Sequence, residues 1–251
     1  MSNPPLEPEL EAFLSRVVPG LAEQWQGCAL DEISRIEALA GRPLPPFYRW
    51  FLARMGRDMG PLAYADLDFS ARRVINSYAE GVVALDAQFL LIGYSADEVM
   101  PLHFFYDLEL QVRDDARVTS RHADDDERYD QFETLREMLA HRALLSFVID
   151  AMPQRCRVLL KGNDPDLFAQ LDSILEKLGF TRPIPTGACC GLYEGRDAAI
   201  ACSKTPRDDP QSFMFVTLGG RDSGTLRRVL GTIATESSLA VEVREWAPAL
   251  G

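Results

Sequence analysis

Four groups of residues in this chain have types and spacings that could do chemistry: a run of acids, a glycine-rich turn, the cysteines and the histidines. The run is Asp124-Asp125-Asp126-Glu127, with Asp130 just beyond it. Closely spaced carboxylates can imitate a phosphate backbone and occupy a basic groove on a partner. The same run also suits a solvated loop whose aspartates cap a helix starting near Tyr129. It does not suit calcium, because neither the acid spacing nor a turn glycine matches a calcium loop. The turn Gly219-Gly220-Arg221-Asp222-Ser223-Gly224-Thr225 follows a predicted strand and opens a predicted helix, the setting of a phosphate-binding loop. The lysine that would hold the phosphates is missing, so Asp222 or Ser223 is better placed as a helix cap.

Cys28, Cys156, Cys189, Cys190 and Cys202 form no C-x-x-C pair, and His103, His122 and His141 are the only histidines available to complete a metal site. Reduced, packed thiols are expected, with no metal and no cofactor. No nucleophile elbow, H-E-x-x-H or catalytic cysteine signature is present, so no catalytic residue is assigned and a non-enzymatic protein is expected.

Positioning any of these groups requires a fold, and the composition supports one: 251 residues, 47% hydrophobic and 25% charged. The longest apolar runs, such as Phe89 to Ile92, fall far short of the roughly 20 residues of a membrane span. With no basic leader and no apolar signal segment, the expected location is the cytoplasm.

Charge divides the chain. Lys and Arg number 26 against 38 Asp and Glu, a net charge of −12. Residues 1–150 hold 14 of those cations and 26 of the acids, and the remaining 101 residues hold 12 of each. The acidic half would attract a basic protein and repel nucleic acid. The shift coincides with Met152-Pro153, where proline disfavours helix in its predecessor, so domains are expected at 1–151 and 152–251.

In the first half, apolar positions at helical spacing predict helices from Pro8 to Trp25 with a break at Pro19-Gly20, from a cap at Asp31 to Gly41, and from a start within Pro43-Leu44-Pro45-Pro46 to Gly56. Short runs rich in β-branched and aromatic residues then predict strands at 88–93, 101–108, 110–112 and 117–119. Residues 129–149 return to a helical pattern. The second half reads as strand 156–160, helix 165–178, a hairpin of 190–194 and 198–203, strand 213–218, helix 223–235 and strand 241–246. The fold class is therefore α+β throughout, and the second half has the order of a ferredoxin-like α+β domain with an extra strand.

Several of these segments share one pattern. Ile33 and Glu37 give I-x-x-x-E; Gly41, Leu44 and Pro45 give G-x-x-L-P; Tyr48, Phe51 and Leu52 give Y-x-x-F-L, followed by Gly56. Phe89 to Gly93, Phe104 to Leu108 and Tyr129 to Leu135 continue the series as a strand ending in Ile-Gly, a second strand and a final helix. Over about residues 28–149 this resembles the SUKH superfamily, the Smi/Knr-type proteins. The motif departs from the family where a doubled glycine is replaced by Gly56-Arg-Asp-Met-Gly60, and the loop expected from Gly60 to Gln88 is long and carries arginines. The resemblance implies a SUKH-like first domain and a protein-binding role. Bacterial members are typically immunity proteins that neutralise polymorphic toxins of nuclease or deaminase type. Others act as regulatory scaffolds with no toxin partner. The expected partner is a basic toxin domain, bound by Asp124, Asp125, Asp126, Glu127 and Asp130, with neither nucleic acid nor membrane involved. The second half carries no family resemblance.

Overall fold

The computed structural model describes residues 7–248 apart from 98, 124, 163–166 and 207–211. The fold is α+β, with two antiparallel sheets among the described residues. The chain divides into two compact units, 1–139 and 140–251. The segment 140–149, which the sequence assigns to the first domain, therefore counts with the second unit.

The first unit opens with α1 (Pro8–Val17) and the short α2 (Leu21–Gln24), separated by Gly20 at φ 68°. Helix α3 (Leu30–Ala40) starts one residue before Asp31, and the carboxylate that serves its open end is Glu32, which accepts from the Ala29 N–H at 2.9 Å. Gly41 ends it at φ 64°, a conformation glycine adopts cheaply. Pro45 and Pro46 then set up α4 (Pro46–Met55), where Phe47, Tyr48, Trp50, Phe51, Leu52 and Met55 are all buried. Glu37 ties the two helices, accepting from the Leu44 N–H at 3.5 Å and pairing with Arg49. Glu11 ties α1 to α4, accepting from Trp50 Nε1 at 2.6 Å and Arg54 Nε at 3.0 Å.

The expected loop from Gly60 to Gln88 is not a loop. It contains β1 (Leu67–Asp68) and α5 (Ala71–Ala79), the latter capped by Ser70, whose hydroxyl accepts from the Arg73 N–H. Helix α5 carries Tyr78 to the open side of the sheet, where its hydroxyl accepts from the Leu91 N–H at 2.8 Å and satisfies an edge donor. The sheet is a meander of β1, β2 (Phe89–Ser95), β3 (Leu102–Val112), β4 (Asp115–His122) and β5 (Arg128–Phe132) in chain order. The two runs expected at 101–108 and 110–112 are one strand, kept continuous across a bulge between Asp107 and Gln111. Tyr129 to Phe132 also differ from expectation. They are strand, because they pair with Val118 to Ser120 of β4, and a ladder outweighs a weak helical period. Helix α6 (Leu135–Ala143) begins only after Thr134, whose hydroxyl accepts from the Glu137 N–H, and runs on into a π-helical segment, Leu144–Ile149.

In the second unit, β6 (Gln154–Gly162), α7 (Leu167–Lys177), β7 (Cys190–Glu194), β8 (Ala198–Ser203), β9 (Ser212–Gly220), α8 (Ser223–Glu236) and β10 (Ala240–Ala247) follow the predicted order. The sheet order is β10-β6-β9-β8-β7. Its core joins Val158, Leu160, Leu171, Ile200, Val216 and Ile233 between the helices and one sheet face. Segment 144–149 lies on the opposite face, and Gly219 lets it approach: a Cβ there would sit 3.0 Å from Ile149 Cα.

Candidate interaction surface

A five-stranded meander places alternate connections at one end, so the β2–β3 loop (96–101) and the β4–β5 loop (123–127) emerge together. The Ala123 N–H donates to the Pro101 carbonyl oxygen at 3.0 Å, and Leu102 stands opposite His122 in the ladder, so the two loops are bonded neighbours.

Within the β4–β5 loop, the Asp125 N–H donates to the His122 carbonyl oxygen at 3.3 Å, and Asp125 Oδ1 accepts from the Glu127 N–H at 2.9 Å. Tyr129 donates its hydroxyl to Glu127 Oε2 at 3.0 Å. Asp126 lies 3.5 Å from Arg121 with its side chain fully exposed. The acids therefore do not cap a helix; they crown a hairpin. Asp124 lies outside the described residues. Asp130 is separate from the tract: it is on β5, 3.5 Å from Arg117, with its side chain only 16% exposed.

The β2–β3 loop supplies what sequence reasoning missed. Asp97 Oδ1 accepts from the N–H groups of Val99 at 2.8 Å and Met100 at 3.1 Å. These two bonds, that from Met100 foremost, hold the Asp97 carboxyl below its usual range. The turn they close leaves Val99 86% and Met100 62% exposed. Two apolar side chains thus stand beside an acidic crown, an apolar anchor with a charged rim. Their signal in the sequence was slight: an apolar pair inside an acidic turn, Asp97-Glu98-Val99-Met100-Pro101.

Behind the loops, the outward face of the sheet is closed by arginines over aromatic rings. Leu91, Phe105 and Val83 form a small cluster. Arg128 lies 3.6 Å from the Phe89 ring centroid and Arg121 lies 5.1 Å from that of Phe105. Arg121 and Arg128 are cross-strand neighbours, and Asp126 and Asp86 answer their charges at 3.5 Å each. His103 is buried beside Tyr94 and accepts the Ser95 N–H on Nδ1 at 3.0 Å. Burial first, then Arg121 and Arg73, push its pKa down, so it is a neutral acceptor inside the sheet.

The other candidates have local roles. Cys156, Cys189, Cys190 and Cys202 are buried and unbridged, and Cys28 is half-buried. Burial pushes the Cys28 and Cys156 thiols up to about 11, which keeps them protonated and unreactive. Asp222 caps α8, accepting the Thr225 N–H at 2.8 Å and the Thr225 hydroxyl at 2.9 Å, while the space beside Gly219 is taken by Ile149 and Met152. Among the described residues no three His, Cys, Asp or Glu side chains are grouped to hold a metal ion, and no helix is long and apolar enough to cross a membrane. No protein-family model matches the chain, and no curated protein matches it.

Proposed function

We propose that this chain is a non-enzymatic protein-binding module, an immunity protein of the SUKH type whose first unit covers the working surface of a basic toxin domain. The observation that carries this reading is the exposed crown of Asp125, Asp126 and Glu127 bonded beside the protruding Val99 and Met100. Acids steer a basic partner toward the site, and the apolar pair gives it something to bury once it arrives.

Support for the family reading comes from the motif residues. Glu37 receives the Leu44 N–H, Gly41 takes a left-handed turn, and Ile33, Leu44, Tyr48, Phe51 and Leu52 are all buried. Gly93 is crossed by the Phe69 ring, which a Cβ would meet at 2.7 Å. The ferredoxin-like reading of the second unit is supported by its strand order. With β6, β8, β9 and β10 counted as first to fourth, the order is fourth, first, third, second, with β7 added at the edge.

The test is to co-express the chain with each basic toxin domain found encoded by a neighbouring gene; the absence of any such gene would favour the scaffold reading. Growth should be rescued, and Val99→Asp together with Met100→Asp should abolish both rescue and complex formation. Complex formation without rescue would favour the scaffold reading. Rescue that ignores the loop substitutions would remove this surface from the function.

A further inference from the structure

The second unit leaves part of its sheet uncovered. Strand β9 is the middle strand of five, yet its outward side chains Phe213 and Phe215 are 36% and 58% exposed. Segment 144–149 covers the same face only farther along, over Gly219. The two rings meet at 5.5 Å, edge to face. Beside them β6 presents Arg157 opposite Thr217, Leu159 opposite Phe215 and Lys161 opposite Phe213. Next to Phe215 on this face, Arg155, Arg157 and Thr217 line a cleft of about 170 Å³ together with Asp150 and Glu245. Arg155 donates through Nη1 to the Asp150 carbonyl oxygen at 3.1 Å, while its Nε is buried without a hydrogen-bond partner among the described residues.

Charge sets this face apart from the first half of the chain. Arg155, Arg157, Lys161 and Arg244 are matched by Asp150, Glu194, Glu242 and Glu245, so the face is balanced in a chain of net charge −12, and its cations flank the two open rings. The pairs Arg157–Glu245 at 3.1 Å, Lys161–Glu242 at 2.7 Å and Arg244–Glu242 at 3.0 Å are all solvent-exposed. Exposed pairs of this kind are weak and yield readily to a competing phosphate. The repulsion expected from total charge belongs to the half that holds the acids, not to this one.

We propose that this open face binds single-stranded nucleic acid, with bases stacking on Phe213 and Phe215 and phosphates held by Arg157, Lys161 and the Arg155 cleft. Outward side chains two apart on a strand are separated by roughly 6.6 Å, within reach of successive bases of an extended strand. Stacking on an aromatic ring tolerates any base, since each base has a π-face, so binding without strict sequence preference is expected. The proposal does not depend on the toxin reading, which rests on the other unit.

The experiment is fluorescence anisotropy of labelled oligouridine and oligothymidine titrated with the full chain. Saturable, salt-sensitive binding is expected. Phe213→Ala with Phe215→Ala should raise Kd about tenfold or more, and Arg157→Gln or Lys161→Gln should each lower the slope of log K against log salt by about one. Thermal melts confirm that these exposed substitutions leave the fold intact. Absence of saturable binding to both oligonucleotides overturns the proposal, as does binding indifferent to the phenylalanine pair. A chain that binds neither probe and is dimeric by light scattering, becoming monomeric with Phe215→Ala, would assign the face to a second copy of itself.

Discussion

Tyr48 lies fully buried in α4, its ring edge-on to that of Tyr106 at 5.0 Å, and its hydroxyl has no hydrogen-bond partner among the described residues. Burial drives its pKa far above the usual tyrosine range, so the group stays neutral. An unsatisfied buried hydroxyl costs stability, and Tyr48→Phe should leave the unfolding free energy unchanged or raise it by about 1 kcal/mol in urea denaturation. A clear loss would mean the hydroxyl is bonded. Leu44→Ala should instead cost roughly 2–5 kcal/mol, the range for a buried leucine. Asp115 adds a pH signature. It accepts from the Tyr106 hydroxyl, the Ala116 N–H and the Arg136 N–H, yet burial outweighs these bonds and raises its carboxyl to about 6. The folded state therefore holds a proton that the unfolded state has released near pH 4. Stability from this residue is present at low pH and is lost as pH rises from about 4 to about 6. The stability of the wild type relative to Asp115→Asn should fall across that window, by up to about 1.4 kcal/mol per pH unit. A constant difference would mean the carboxyl stays ionised.

At the scale of elements, the motif glycines do different work at the ends of two successive helices, α3 and α4. Gly41 has φ 64° and open space around it, so Gly41→Ala costs only the left-handed conformation, about 1–2 kcal/mol. Gly56 has an ordinary helical φ of −66°, but a Cβ there would lie 2.5 Å from the Leu52 carbonyl oxygen and 3.0 Å from Cys28 Sγ. Gly56→Ala should show the larger loss of thermal midpoint, and the reverse order would mean that the crowding relaxes. Helices α1, α3 and α4 were legible because one apolar face repeats over three turns and Pro or Gly marks the ends. Helix α5 was not. Its nine residues contain Arg72, Arg73 and Asn76, and its purpose, to bring Tyr78 to the edge of β2, is a long-range one. Strand β5 was misread for a related reason, since Phe132, Leu135 and Leu139 imitate a helical period although the first belongs to a ladder with β4.

For the whole molecule, each unit has its own sheet and core, but the boundary matters. Ile149 and Met152 press on Gly219 of β9, so a fragment starting at residue 140 should melt higher than one starting at 152. Equal midpoints would show that segment 144–149 adds nothing to the second unit. Long-range charge is also a property of the whole. If the proposed basic partner is steered by this tract, replacing Asp124, Asp125, Asp126 and Glu127 by Asn and Gln slows its association and flattens the salt dependence, with dissociation changed less. Stability should shift by no more than about 0.5 kcal/mol, because the described members of the tract are exposed and Asp126 meets Arg121 only at the surface.

What the sequence by itself determined was local: the α+β class, most element boundaries in the second half, the turn at Gly41, and an acidic first half. Each depends on neighbours within a few turns or strand residues, where periodicity and backbone preference act directly. Only the tertiary structure decided that Asp130 belongs with Arg117 rather than with the acidic crown, and that Val99 and Met100 stand beside that crown. It also decided that Phe213 and Phe215 of the middle strand lie in the open. Alternation along β9 places both side chains on one face, but whether that face is covered depends on residues 144–149, which end more than sixty positions earlier. Composition does not register such a distance, because exposure is set by which element packs over a residue and not by the residue itself.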